Sequence, residues 1–82
     1  MNPKICPRCN QGILYIFKSK YILKEIILCD ECDAMWLKGM KITYGDYDKD
    51  FYNYEIFMNQ NGVSSPWEEE NIFLTPYYEN EL

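Results

Sequence analysis

The sequence predicts a small α+β domain, a three-stranded antiparallel sheet stapled at two cysteine pairs and followed by a short helical C-terminal extension. Three observations lead there. The chain has 82 residues, and one so short buries only about 60–65% of its unfolded surface, so its core needs a staple. All four cysteines fall in two C-x2-C pairs. Between and after the pairs run segments rich in β-branched and aromatic residues, broken by short polar stretches.

The first pair is Cys6-Pro7-Arg8-Cys9. Pro7 presets φ within the turn, and Gly12 suits the backbone as it leaves for a strand. Residues 13–17 and 21–28 flank the polar break Lys18-Ser19-Lys20, the pattern of a β-hairpin. That hairpin returns the second pair, Cys29-Asp30-Glu31-Cys32, to the side of the first. Ala34-Met35-Trp36-Leu37 then supplies the third strand, with Trp36 packed over the sheet near the cysteines and Gly39 ending the strand.

After the Gly45-Asp46 break, Tyr47, Phe51, Tyr54 and Met58 recur at helical spacing. Asp46 or Asp48 caps the start of this helix, Asp50 favours its first turn, and Asn61-Gly62 stops it. Residues 52–57 also read as a strand, and the helix is the preferred alternative. Ser65-Pro66-Trp67-Glu68 has the form of a capping box with proline at the first helical position. It predicts a second short helix through Ile72-Phe73-Leu74 that Thr75-Pro76 stops, followed by a tail over residues 77–82. Phe51, Met58, Trp67, Ile72 and Phe73 are the expected covers of the sheet's apolar face.

The cysteine spacing is C-x2-C-x19-C-x2-C, within the range of a four-thiolate zinc site. A two-residue gap lets both sulfurs of a knuckle turn toward one point, about 2.3 Å from the ion. Cys6, Cys9, Cys29 and Cys32 are therefore the expected ligands of one structural Zn2+, with a single iron as the geometric alternative. Two disulfides would need an oxidising compartment, for which the sequence gives no sign. A redox dithiol would leave one pair without a role. Four thiolates fill every tetrahedral position, whereas a catalytic zinc keeps one open. The chain also has no histidine to serve as a base or to activate Ser19, Ser64 or Ser65. No enzyme is expected.

The net charge is −5, which argues against a free-standing nucleic-acid binder. No apolar run approaches the length that spans a bilayer, and no apolar stretch precedes the first cysteine pair. The expectation is a soluble, cytoplasmic single domain. Charge is unevenly placed: residues 1–45 carry seven cations and four anions, residues 46–82 one cation and nine anions. The second half is also rich in aromatic residues, so it is no mere solvating tail. Tyrosines suit surfaces buried at one end and polar at the other. Acids between them steer a basic partner. Asp46, Asp48, Asp50, Glu55, Glu68, Glu69 and Glu70 are the expected acidic contacts, with Tyr47, Tyr52, Tyr54 and Trp67 as contact area. A toxin domain that attacks RNA or DNA is such a partner, because its active site must hold phosphate.

Cys6-Pro7-Arg8-Cys9-Asn10-Gln11-Gly12, a hairpin, and Cys29-Asp30-Glu31-Cys32 with Trp36 four residues beyond together resemble the zinc-ribbon class over residues 4–42. More narrowly, these phrases and the acidic aromatic extension are similar to small bacterial zinc-ribbon immunity proteins, including those of contact-dependent growth inhibition systems. The resemblance implies a zinc-ribbon core over residues 1–45, with residues 46–82 packed on it. It implies a monomer that neutralises a cognate toxin domain in a 1:1 complex. The alternative is a zinc-ribbon adaptor that binds nucleic acid or a transcription or translation complex through Arg8, Lys18, Lys20, Lys38 and Lys41.

Overall fold

An unbroken apolar run marks a strand buried on both faces, and Ile26, Ile27 and Leu28 are such a run at the heart of this sheet. The computed structural model describes residues 2–79. Its strands are β1 (Leu14–Lys18), β2 (Glu25–Cys29), β3 (Ala34–Leu37) and β4 (Tyr52–Asn53), each antiparallel to the next in the order β1-β2-β3-β4. Helix α1 (Tyr54–Gln60) follows β4 directly, and a single 3₁₀ turn covers Pro66–Glu68.

Alternation of side chains across the pleat divides the core in two. Leu14, Ile27, Cys29, Ala34 and Trp36 face one way and are covered by Cys6, Ile42 and Phe51. Phe17, Ile26, Leu28 and Met35 face the other way and are covered by Tyr54, Met58 and Val63. The register sets Leu14 opposite Cys29 and Ile27 opposite Trp36. It thereby fixes which end of the sheet receives the cysteines.

The three expected strands are present, and β4 is an addition to them. Several elements differ from expectation. The hairpin loop spans residues 19–24 rather than 18–20, because Ser19 organises it: the Ser19 N–H donates to Lys24 O at 2.9 Å, and Ser19 O accepts from the Leu23 N–H at 2.9 Å. The first helix starts at Tyr54 rather than near Tyr47. Residues 46–51 instead make a tight turn in which the Asp46 N–H donates to Asp50 Oδ2 at 2.7 Å and the Asp50 N–H to Asp46 O at 2.8 Å. Short acidic side chains that bond nearby backbone compete with helix in this way. The cap of α1 is Asn53, whose Oδ1 accepts from the Ile56 N–H at 3.0 Å. Residues 52–57 thus divide between the two alternatives, a short strand and then helix.

The expected stop at Asn61-Gly62 is present, with Gly62 left-handed at φ 86°. Val63 N–H reaches Met58 O at 2.9 Å and Gly62 N–H reaches Asn59 O at 3.1 Å, the paired bonds of a Schellman closure.

The expected second helix is only one 3₁₀ turn. Ser65 makes no side-chain cap bond, and the backbone turns extended at Glu69 (φ −67°, ψ 141°). An extended backbone alternates its side chains, so Glu68 and Glu70 are exposed while Glu69 is buried. Glu69 reaches the hairpin loop fifty residues away. Ser19 Oγ donates to its Oε2 at 2.7 Å, and the Lys20 N–H donates to its Oε1 at 2.8 Å. Ser19 is itself buried and its hydroxyl accepts from the Tyr21 N–H. Glu69→Ala would strand the Ser19 hydroxyl and the Lys20 N–H. We expect it to lower stability by about 1–3 kcal/mol in urea denaturation, with no change in bound metal.

Of the five expected covers, Phe51 and Met58 are buried, Ile72 is half-buried, and Trp67 and Phe73 stand partly exposed. The tail lies along the outer edge of β1. Ile16 N–H donates to Thr75 O at 2.9 Å, Tyr77 N–H to Leu14 O at 2.8 Å, and Lys4 N–H to Tyr77 O at 2.8 Å. The Lys4 ammonium pairs with Glu79 at 2.7 Å. The rest of the expected tail, residues 80–82, lies outside the described residues.

Candidate metal centre

Each cysteine pair sits on a tight turn that ends in a left-handed residue, Asn10 (φ 60°) after Cys9 and Asp33 (φ 64°) after Cys32. Asn and Asp tolerate that conformation better than other residues with a side chain. In the first turn the Asn10 N–H donates to Cys6 O, and the Cys6 N–H to Gly12 O, both at 2.9 Å. Backbone donors then point at sulfur. Gly12 N–H lies 3.3 Å from Cys9 Sγ, and Glu31 N–H 3.3 Å from Cys29 Sγ.

Two contacts lock the turns together. Asp30 Oδ1 accepts from the Ile13 N–H at 3.0 Å, and Arg8 Nη1 donates to Cys32 O at 3.2 Å. Gly12 permits the close approach: a Cβ there would stand 2.5 Å from Cys29 Sγ and 2.9 Å from Asp30 Oδ1.

The four sulfurs all lie within 4.8 Å of one another. Cys6 and Cys32 Sγ are 3.6 Å apart, and Cys9 and Cys29 Sγ 3.7 Å. A tetrahedron with metal–sulfur arms of about 2.3 Å has edges of about 3.8 Å, so the cluster fits a single ion. Cys6 and Cys29 are buried, and Cys9 and Cys32 half-buried. Four cysteines are arranged to bind one metal ion, as the sequence predicted.

The surroundings divide the thiols. Burial pushes Cys29 far above the ordinary thiol range and raises Cys6 as well. Burial acts on Cys9 in the same direction, but hydrogen bonds from the N–H groups of Gly12 and Gln11 and from the Cys29 and Cys32 side chains together outweigh it and bring Cys9 to about 7. The Arg8 guanidinium is raised by its bond to Cys32, which favours its charged form. Near pH 8 the metal-free chain therefore holds a proton on Cys6 and on Cys29, and metal must expel both. Apparent affinity is expected to rise with pH by at least about two decades per unit in this range, and to fall with acid. Competition against a chromophoric chelator, measured across pH 7.5–8.5, checks the slope.

The expected partner-binding residues separate into a groove, a ridge and an interior. Asp46 and Tyr47 join Arg8, Tyr44, Phe51 and Ile56 around a groove of about 400 Å³ beside the second cysteine turn. Asp48 is exposed, and Asp50 closes the turn beneath them. Tyr52 is half-buried against Phe57 at 4.9 Å between ring centres. Glu55 and Trp67 meet on an exposed ridge, Trp67 Nε1 donating to Glu55 Oε1 at 3.3 Å. Glu68 lines a separate groove with Tyr21, Val63 and Ser65, and Glu70 is exposed.

Two residues require correction. Tyr54 is fully buried, its hydroxyl donating to Pro66 O at 2.7 Å. Burial, aided by the nearby Glu69 carboxylate, keeps that hydroxyl protonated. Glu69 is the buried latch described above. Neither presents a side chain to a partner. The sequence reading had no role at the metal centre for Arg8 or for the left-handed Asn10 and Asp33. The repeated Cys-Asn and Cys-Asp steps that close the two turns are visible in the sequence.

Comparison with protein-family models, curated protein sequences and solved structures finds no match for this chain. Among the described residues, no helix is long and apolar enough to cross a membrane.

Proposed function

We propose that the chain is a zinc-ribbon immunity protein of the contact-dependent or polymorphic-toxin kind. In this reading Cys6, Cys9, Cys29 and Cys32 hold one structural Zn2+, and the acidic, aromatic half neutralises a cognate, basic nuclease-type toxin domain in the cytoplasm. The complex is 1:1 with a monomer. One observation carries the reading: between positions 50 and 79 the chain has six carboxylates and no Lys or Arg, while Trp67 and Phe73 stand exposed there at 38% and 36%. A nuclease must gather cations to hold phosphate, and an acidic surface complements them. The protein acts by binding, since four thiolates leave the ion no position for substrate.

Co-expression with the toxin domain encoded beside this chain's gene tests the proposal. Restored growth and a 1:1 complex by light scattering are expected. Failure against every such neighbour overturns it. Elemental analysis of colourless protein should give one zinc per chain, and a coloured iron centre would replace that assignment.

One observation favours the adaptor reading. Lys18, Lys24 and Lys38 surround a groove at the hairpin end of the sheet, with Lys38 paired to Glu25 at 3.4 Å. Retention on immobilised RNA at low salt, lost on charge reversal of Lys18 and Lys24, would support it and count against immunity.

A further inference from the structure

We infer that the toxin-facing surface is centred on the Trp67–Phe73–Leu74 ridge rather than on the Tyr44–Tyr47 groove, and that the ridge takes an arginine-bearing protein surface. This inference rests on the immunity reading. The two patches differ in what they already hold. The groove carries its own cation: the Arg8 guanidinium stands 5.6 Å over the Phe51 ring and is tied to Cys32 O. A second cation entering there meets like charge. At the ridge Glu55 is bonded to Trp67, and Glu68 and Glu70 are exposed. The neighbouring Lys20 meets Glu69 through its backbone N–H and sets its ammonium 5.4 Å over the Tyr21 ring, while Lys18 lines the groove at the hairpin end.

The ridge is also rigid. Trp67 packs edge-on against buried Tyr54, with ring centres 4.6 Å apart, and its indole N–H is held by Glu55. Phe73 follows at 6.3 Å and itself packs edge-on against Tyr15 of β1 at 5.3 Å. The row thus runs from the core to the sheet, and the Glu69 latch pins the segment between Trp67 and Phe73 to the hairpin loop. A fixed aromatic anchor loses little freedom on binding.

Phe73 is held left-handed at φ 63°, a conformation that disfavours any bulky side chain. Leu74 beside it is 69% exposed. Phe73 is held there by Tyr15 and Trp67, but the exposure of Leu74 is not offset by burial within this chain. An incoming arginine covers it. Its planar guanidinium stacks on indole and forks to a carboxylate, while its stem covers the apolar side chains.

The test uses a catalytically inactive form of the toxin domain encoded beside this chain's gene, titrated calorimetrically. Trp67→Ala and, as a variant at an exposed site that spares the core, Leu74→Lys should each weaken binding at least about thirtyfold, the scale of an interface hot spot. Tyr47→Ala in the groove should change it by less than about threefold. The reverse ranking overturns the ridge assignment and leaves immunity standing. If the unaltered chain does not bind, the immunity reading falls, and the cation preference is judged on the free protein. Trp36 is fully buried, so collisional quenching reports on Trp67 alone. Caesium should quench it more strongly than iodide at equal ionic strength, and equal or inverted quenching overturns the cationic occupant.

Discussion

Replacing Cys29 with serine is expected to leave a chain that neither holds a metal ion nor unfolds cooperatively. Cys29 ends β2, is fully buried, and stands opposite Leu14 in the register. Its sulfur is where the two cysteine turns meet, since the space above it is the space that Gly12 leaves empty. Structural zinc supplies apparent folding free energy of about 10–16 kcal/mol in small domains. The whole net stability of a folded protein is only about 5–15 kcal/mol. Losing the ion removes more than an 82-residue core retains. The variant should purify without metal, give a broad, non-sigmoidal urea profile and show collapsed amide chemical-shift dispersion. Chelation of the unaltered chain should produce the same state. A metal-free variant with full dispersion would falsify the view that the ion is the staple.

Trp36→Ala is expected to cost about 3–5 kcal/mol, the range for truncating a buried tryptophan. The indole is fully buried, lies across from Ile27, and has the Phe51 ring 6.4 Å away. Its Nε1 donates to Thr43 O at 3.1 Å, tying the chain after β3 back over the sheet. Truncation opens a cavity and removes the donor from that carbonyl. Trp36→Phe retains most of the apolar area, so it should lose only about 1–3 kcal/mol. Urea midpoints of the three chains give the comparison. In both variants the sulfur cluster is untouched, so one metal ion per chain should remain at neutral pH. Loss of metal from Trp36→Ala would mean that the indole itself holds the cysteine turns in place, through the core it shares with Cys6 and Cys29.

What the sequence made legible is what local chemistry decides. The two cysteine turns, the hairpin, the strand carrying Trp36 and the stop at Gly62 each depend on residues a few positions apart. The elements that escaped depend on partners far along the chain. Glu68, Glu69 and Glu70 read as one run of acidic partner contacts until Ser19 and Lys20 pull the middle carboxylate inward. Strand β4 has two residues, too few for an alternation to show, and exists because Ala34 and Met35 offer it an edge. The helical spacing of Tyr47 and Phe51 was real but idle, because Asp46 and Asp50 bond each other's backbone first. Exposure of Trp67 and Phe73 was hidden for a related reason. Tyr54, Met58 and Val63 already cover that face of the sheet, leaving the larger rings no interior to enter.

The docked tail bears on how a partner can recognise the chain at all. Residues 75 and 77 take up the outward backbone groups of Leu14 and Ile16, and Asn71 Nδ2 caps Lys18 O at 3.1 Å. At the opposite margin β4 offers only two residues. Among the described residues no long free strand edge remains, so a partner cannot bind simply by adding a strand. It must read side chains. Such a surface can change its preference one substitution at a time, with the hydrogen-bonded frame beneath it left alone.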